Sequence, residues 1–213
     1  MKQVERIDEL HQAISQIKNS PEWFTNLYVN DSNLENWIKK GQIYIQIYQK
    51  AIFLVRRRPE FYQFYFLTVD LLKFKADLKQ FLKASKETYA VAILGNVEVF
   101  HELLQEAGLT FYMGINRVSK ITEKIGKPVL KKGISFAVIE DALDIQQMMY
   151  DMMDIYCDQI PDIDEIEAVI RKKEVLVIRN SQNREIESFY YFERKGRSSQ
   201  ALYSAVKEKY RYK

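Results

Sequence analysis

Side chains able to do chemistry are thinly spread along this chain. His11 and His101 stand alone on helical segments, with no second ligand at metal-binding spacing, and the single Cys157 has no cysteine to pair with. Asp158, Asp162, Asp164 and Glu165 offer oxygen ligands. They lack the glycine and the spacing of a calcium loop, and they read as caps of a helix start. Glu187 and Glu193 are candidate proton acceptors on strands, although strand-surface carboxylates are far more often simply solvated. The strongest chemical signal comes from the backbone. Residues 200–206 read as a buried, uncharged strand, and 206–213 turn it into a basic stretch with Lys207, Lys209, Arg211 and Lys213. A strand delivering its end into such a turn presents N–H groups and cations to a phosphate-bearing ligand.

The elements that must position this strand recur in the sequence. Residues 32–45 align without gaps on residues 164–177, about 132 positions further on. In each copy a Ser32 or Asp164 cap with Glu35 or Glu167 three residues later starts a short helix. Two basic residues close that helix, and a β-branched strand follows. Apolar residues at helical spacing over 4–17 and 142–156 predict a first helix for each copy. Three strands then follow in both: 42–48, 51–55 and 61–69 in the first copy, 174–179, 185–192 and 200–206 in the second. The first copy continues with a helix over 71–82, a buried strand over 88–94, a helix over 97–107 ended by Gly108, and a closing strand over 109–118. The predicted fold class is α+β (mixed α/β): two modules, each with two helices followed by a mostly antiparallel meander. The boundaries are 1–118 for the first module, 119–132 for a linker containing Gly126 and Pro128, and 133–213 for the second, which opens with a strand over 133–139.

The order helix–helix–β–β–β–helix–β–helix–β resembles that of the GNAT superfamily of N-acyltransferases. The run from Val206 to Arg211 resembles the strand end and Arg that precede the family's glycine-rich acyl-CoA loop. The resemblance implies an acyl-CoA-dependent N-acyltransferase of tandem type. Acetyl-CoA or another acyl-CoA would be held by Ala205, Val206, Arg211, Tyr212 and Lys213. The acceptor would be a small-molecule or peptide amine, and no metal is implied. Two departures qualify this. In the first copy the position matching Val206 is Val69, followed by Asp70 with neither Arg nor glycine, so that copy is expected to be degenerate. The second copy lacks the glycine loop and is expected to be incomplete, leaving strand 200–206 unpaired and the protein a homo-oligomer through it. A non-catalytic scaffold serving as a binding or dimerisation module is the alternative.

Composition excludes other classes. With 47% hydrophobic and 29% charged residues, 7 Gly and 4 Pro, the chain is globular rather than disordered. No stretch approaches the ~20 apolar residues of a membrane span, and the start has no apolar signal region. Together with the lone cysteine, this predicts a cytoplasmic protein. A net charge of +3 does not mark a nucleic-acid binder, and the aromatic run 61–66 lacks the signatures of an RNA-binding sheet. Arg56, Arg57 and Arg58 read as a solvated strand edge, and the pairs Met148–Met149 and Met152–Met153 as core filling or an adaptable interface.

Overall fold

Two short helices, nine residues each, start the same way at matching points of the chain and run into matching strands. Asp31–Lys39 begins at Asn30, whose side chain accepts from Asn33 N–H at 2.9 Å. Ile163–Arg171 begins at Asp162, whose N–H donates to the Glu165 carboxylate at 2.8 Å, the reach-back half of a capping box. Both caps thus lie two residues before Ser32 and Asp164, and the spacing between the copies is unchanged. Both helices also end alike. Gly41 and Lys173 adopt φ of +66° and +56°. Gly41 N–H bonds Ile38 C=O and Gln42 N–H bonds Trp37 C=O, as Lys173 N–H bonds Ile170 C=O and Glu174 N–H bonds Val169 C=O. Lys173 therefore occupies, with a Cβ, the left-handed position that glycine fills in the first copy. Lys173→Gly is expected to stabilise the second unit by about 1 kcal/mol, a rise in its Tm of roughly 4 °C. An unchanged or lower Tm in calorimetry would mean that the lysine side chain offsets the backbone strain.

This computed structural model describes residues 1–18, 20–95, 97–114, 130–131, 133–196 and 198–211. The chain is mixed α+β with two sheets, and it divides into compact units Met1–Gly114 and Ile115–Lys213. In the first, β1 (Lys2–Gln3), α1 (Ile7–Lys18), β2 (Phe24–Thr25) and α2 (Asp31–Lys39) precede a meander of β3 (Ile43–Ile47), β4 (Ala51–Arg57) and β5 (Tyr62–Thr68). α3 (Leu71–Lys83), β6 (Tyr89–Ala90) and α4 (Val97–Ala107) follow. The strand order is β1-β3-β4-β5-β2, with β6 parallel to the other end of β5. β4 is an unbroken apolar run because both of its faces are buried. Ile52 and Leu54 pack on Leu10, Leu34 and Trp37 of α1 and α2, while Ala51, Phe53 and Val55 pack on Phe74, Leu78, Phe100 and Leu104 of α3 and α4. Helices therefore cover both faces of this sheet.

The second unit holds β7 (Ile134–Phe136), α5 (Ala142–Met152), α6 (Ile163–Arg171), β8 (Val175–Arg179), β9 (Ile186–Lys195) and β10 (Ser198–Val206). Its sheet is antiparallel in the order β10-β9-β8-β7. Ile145, Met148 and Met149 of α5 and Ile166 and Ile170 of α6 pack on Val175, Val177, Phe189, Tyr191 and Ala205. No described residue of this unit forms a helical layer on the opposite face.

Several expectations change in detail. Of the strand expected over 88–94, only Tyr89–Ala90 pairs in the sheet. Residues 109–114 form no strand, and 115–118 lie outside the described residues, as does most of the expected linker 119–132. Arg56 and Arg58 are buried rather than solvated. The Arg56 guanidinium lies 3.8 Å from the centre of the Trp37 ring, and its Nε donates to Gln42 Oε1. Among the described residues, no helix is long and apolar enough to cross a membrane.

Candidate functional site

β10 reaches the candidate site because its inward residues are anchored on α5 and β9. Tyr203 stacks edge-on against Tyr191 at 5.3 Å, its hydroxyl donates to Gln159 C=O, and Ala205 is buried in the core. A bulge between Ala201 and Tyr203 shifts the register, after which Val206 lies opposite Ser188. The last ladder bond, Lys207 N–H to Glu187 C=O, is followed by a single 3₁₀ turn over Glu208–Tyr210.

That turn is held down by one carboxylate. Glu185 accepts from Lys207 Nζ at 2.8 Å and from Lys209 Nζ at 2.8 Å, and Asn180 Nδ2 donates to the Tyr210 hydroxyl at 3.3 Å. The Lys207 and Lys209 ammonium groups draw the Glu185 pKa down to about 2. The contact therefore stabilises the turn fully above the ordinary glutamate range and loses its effect as the pH falls through about 2. Two of the basic residues that seemed available for phosphate are thus engaged within the protein. The register that pairs Ser188 with Val206, set by the bulge, carries on to bring Glu185 beside the turn.

Ala205, Val206 and Arg211 come together around one depression of about 260 Å³, which Ser204, Met152 and Met153 also line. Arg211 is exposed, and its Nε donates to Val206 C=O at 3.4 Å. Tyr212 and Lys213 lie outside the described residues. Met152 and Met153 were legible as apolar helix residues but not as neighbours of β10, because that contact joins segments far apart in sequence. Neither Glu187 nor Glu193 lines the depression. Glu187 instead accepts from Asn180 Nδ2 at 3.0 Å. The Cys157 thiol is pushed up by burial and by Asp154 beside it, which suppresses the thiolate. Among the described residues, no group of three or more His, Cys, Asp or Glu side chains could hold a metal ion.

In the first unit the counterpart of β10 is β5, and its outer edge is filled. By strand pairing, Phe66 stands opposite Phe53 as Val206 stands opposite Ser188, so Phe66 rather than Val69 occupies the matching position. β2 pairs with Leu67 and Thr68, β6 with Tyr62 and Gln63. Between them the buried Asn26 carboxamide accepts from Phe66 N–H at 2.7 Å and donates to Phe64 C=O and Ala92 C=O, both at 3.1 Å. A side chain here replaces a rung of the ladder.

A second depression, of about 430 Å³, lies at the β7 side of the second unit. Phe136, Val138 and Arg184 line it together with Asp141 and Arg179, which form an ion pair with Asp141 buried and Arg179 partly exposed. The Asp141 carboxylate also accepts from Val138 N–H, which ties the end of β7 to the start of α5. Comparison of the chain with protein-family models, with curated proteins and with solved structures gives no match.

Proposed function

We propose that residues 133–211 are the acyl-CoA-binding part of a tandem GNAT-like N-acyltransferase and that the first unit is its degenerate copy, which binds no acyl-CoA. The observation that carries this reading is the convergence of Ala205, Val206 and Arg211 on one depression at the end of an edge strand. Acetyl-CoA has two chemically different parts, and the residues present fit them unequally. The pantetheine arm is a thin chain with two amides, suited to the backbone along the outer edge of β10, which pairs with β9 on its other side, and to the thioethers of Met152 and Met153. The diphosphate needs converging donors. Lys207 and Lys209 face Glu185, so among the described basic residues of this tail Arg211 is the one placed to meet it.

When bound, the group supplies an activated thioester. The protein's part is to hold the arm along β10, to direct backbone N–H groups near Ala205 and Val206 at the thioester carbonyl, and to keep the apolar stem on the two methionines. Among the described residues no carboxylate or histidine lines the depression, and we place the proton acceptor for the incoming small-molecule or peptide amine outside these. We place this activity in the cytoplasm.

Titration calorimetry of the full chain with acetyl-CoA tests the reading. Binding in the micromolar to submillimolar range is expected, weakened about tenfold by Arg211→Ala, the ~1.4 kcal/mol of one charge-assisted hydrogen bond. Absence of heat at millimolar acetyl-CoA would falsify it. The non-catalytic scaffold reading then holds for the whole chain, and the Asn26 closure of the β5 edge already favours it for the first unit.

A further inference from the structure

The two units share one spacing across their first two helices. Leu10, Ala13 and Ile17 of α1 and Leu34 and Ile38 of α2 are buried, and so, at the same spacing, are Ala142, Ile145 and Met149 of α5 and Ile166 and Ile170 of α6. The connections between those helices are therefore equal in length, and Tyr156, Cys157 and Asp158 are the counterparts of Phe24, Thr25 and Asn26. Their places differ. In the first unit these residues lie along the β5 edge: Phe24 and Thr25 pair with Thr68 and Leu67, and the Asn26 carboxamide spans Phe66 N–H and Phe64 C=O. By register the matching groups of the second unit are Val206 N–H and Ser204 C=O, and both residues line the depression at β10. Lys207 N–H bonds Glu187 C=O, so by the alternation of an antiparallel ladder Val206 and Ser204 direct their N–H and C=O groups away from β9. The position that Asn26 fills in one unit is the depression of the other.

In the second unit the counterpart segment is curled on itself. The Asp154 carboxylate accepts from Tyr156 N–H at 2.9 Å and from Cys157 N–H at 3.1 Å, Asp158 N–H donates to Asp154 C=O at 2.8 Å, and the Asp158 carboxylate accepts from Asp154 N–H at 2.8 Å. The loop nevertheless lies against β10 at both ends. Met153 lines the depression, and Gln159 C=O accepts from the Tyr203 hydroxyl at 3.2 Å. We propose that Asp154 and Asp158 are positioning residues that keep the depression open, by curling away a segment which plugs the matching place in the first unit. Two differences in side-chain chemistry support this. Glu22 stands where the second unit has Asp154, and its extra methylene spoils the short side-chain turn onto the N–H two residues on. Asn26 both accepts and donates, whereas the Asp158 carboxylate only accepts and would set its charge against Ser204 C=O. The chain that follows β5 pairs with its edge elsewhere, at Tyr62 and Gln63 through β6, so the plug is built from residues that precede the meander. The open state is independent of the ligand's identity, and only its consequence for acetyl-CoA rests on the acyltransferase reading.

Amide hydrogen exchange of the full chain, followed residue by residue by NMR, is the test. In the wild type Val206 N–H is expected to exchange about tenfold or more faster than Lys207 N–H, which is bonded within the sheet. Asp154→Glu combined with Asp158→Asn, which restores the residue types of the first unit, is expected to slow Val206 about tenfold or more, while Lys207 keeps its rate and reports that the sheet is intact. The same pair is expected to weaken acetyl-CoA binding about tenfold. Asp154→Glu combined with Asp158→Ala supplies no carboxamide and leaves Val206 fast. Unchanged exchange at Val206 in the first pair overturns the proposal, as does equal slowing in the second. A wild type that gives no heat with acetyl-CoA overturns the acyltransferase reading instead, and the exchange rates still decide whether the two aspartates hold the loop away.

Discussion

Asn26→Leu is expected to cost the first unit about 3–5 kcal/mol, a fall in its Tm of roughly 10–20 °C. Leucine keeps the volume of the side chain and removes every polar atom. Three backbone groups lose their partner at once: Phe66 N–H, Phe64 C=O and Ala92 C=O. Asn26 is 7% exposed, so water has little access, and each orphaned group costs about 1–3 kcal/mol. The replacement also unhooks the segment after β6 from β5, because Ala92 reaches that edge through the carboxamide. Asn26→Asp separates hydrogen bonding from volume. Its carboxylate still accepts from Phe66 N–H but faces two carbonyl oxygens, so its folded-state pKa is raised. The destabilisation is therefore greatest at neutral pH and is partly relieved as the pH falls through that raised value, where the acid regains a donor. Urea denaturation of both variants at neutral and mildly acidic pH measures this. A loss below 1 kcal/mol for Asn26→Leu would show that β2 closes directly on β5 without the carboxamide.

The same contact explains where reading the sequence stopped short. Residues 88–94 have the composition of a buried strand, yet only two of them pair, because the next position on the β5 edge belongs to a side chain from residue 26. Periodicity describes one segment at a time and carries no sign of a carboxamide arriving from another. Arg56 fails for a related reason. Three arginines before a proline look solvated, and only the tertiary position of Trp37 makes burial of one guanidinium favourable. Patterns that are local and repeated were legible. The two capped helices and their strands stand at the same spacing in both copies, and the error in the cap was identical in each. Asp162 with Glu165 and Asp164 with Glu167 satisfy one pattern equally, and the helix starts at the earlier of the two. At the candidate site, Ala205, Val206 and Arg211 meet because a strand end and the turn after it are neighbours by construction. Met152, Met153 and Glu185 reach them across the fold. The equation of Val206 with Val69 failed because a constant offset in sequence does not survive hairpins of different length, whereas strand register does.

Phe53→Ser carries the other large effect, about 4–6 kcal/mol, and it converts one unit toward the other. Phe53 is fully buried, with its ring centre 4.8 Å from Tyr48, 5.2 Å from Phe64, 5.6 Å from Phe74 and 5.5 Å from Phe81. Removing a buried phenylalanine costs about 3–5 kcal/mol through lost transfer energy and the cavity left behind. The serine hydroxyl adds about 1 kcal/mol for a polar group with no partner among these rings. At the register-matched position of the second unit the residue is already Ser188, and no helix among the described residues of that unit lies over it. Ser188→Phe is accordingly expected to change the stability of the second unit by less than about 1 kcal/mol, the range of a surface substitution. Calorimetry of the two variants compares one sheet position in two settings. A small loss for Phe53→Ser would mean that α3 and α4 do not form a close-packed layer on the first sheet. A large change for Ser188→Phe would mean that residues beyond those described pack on this face of the second sheet.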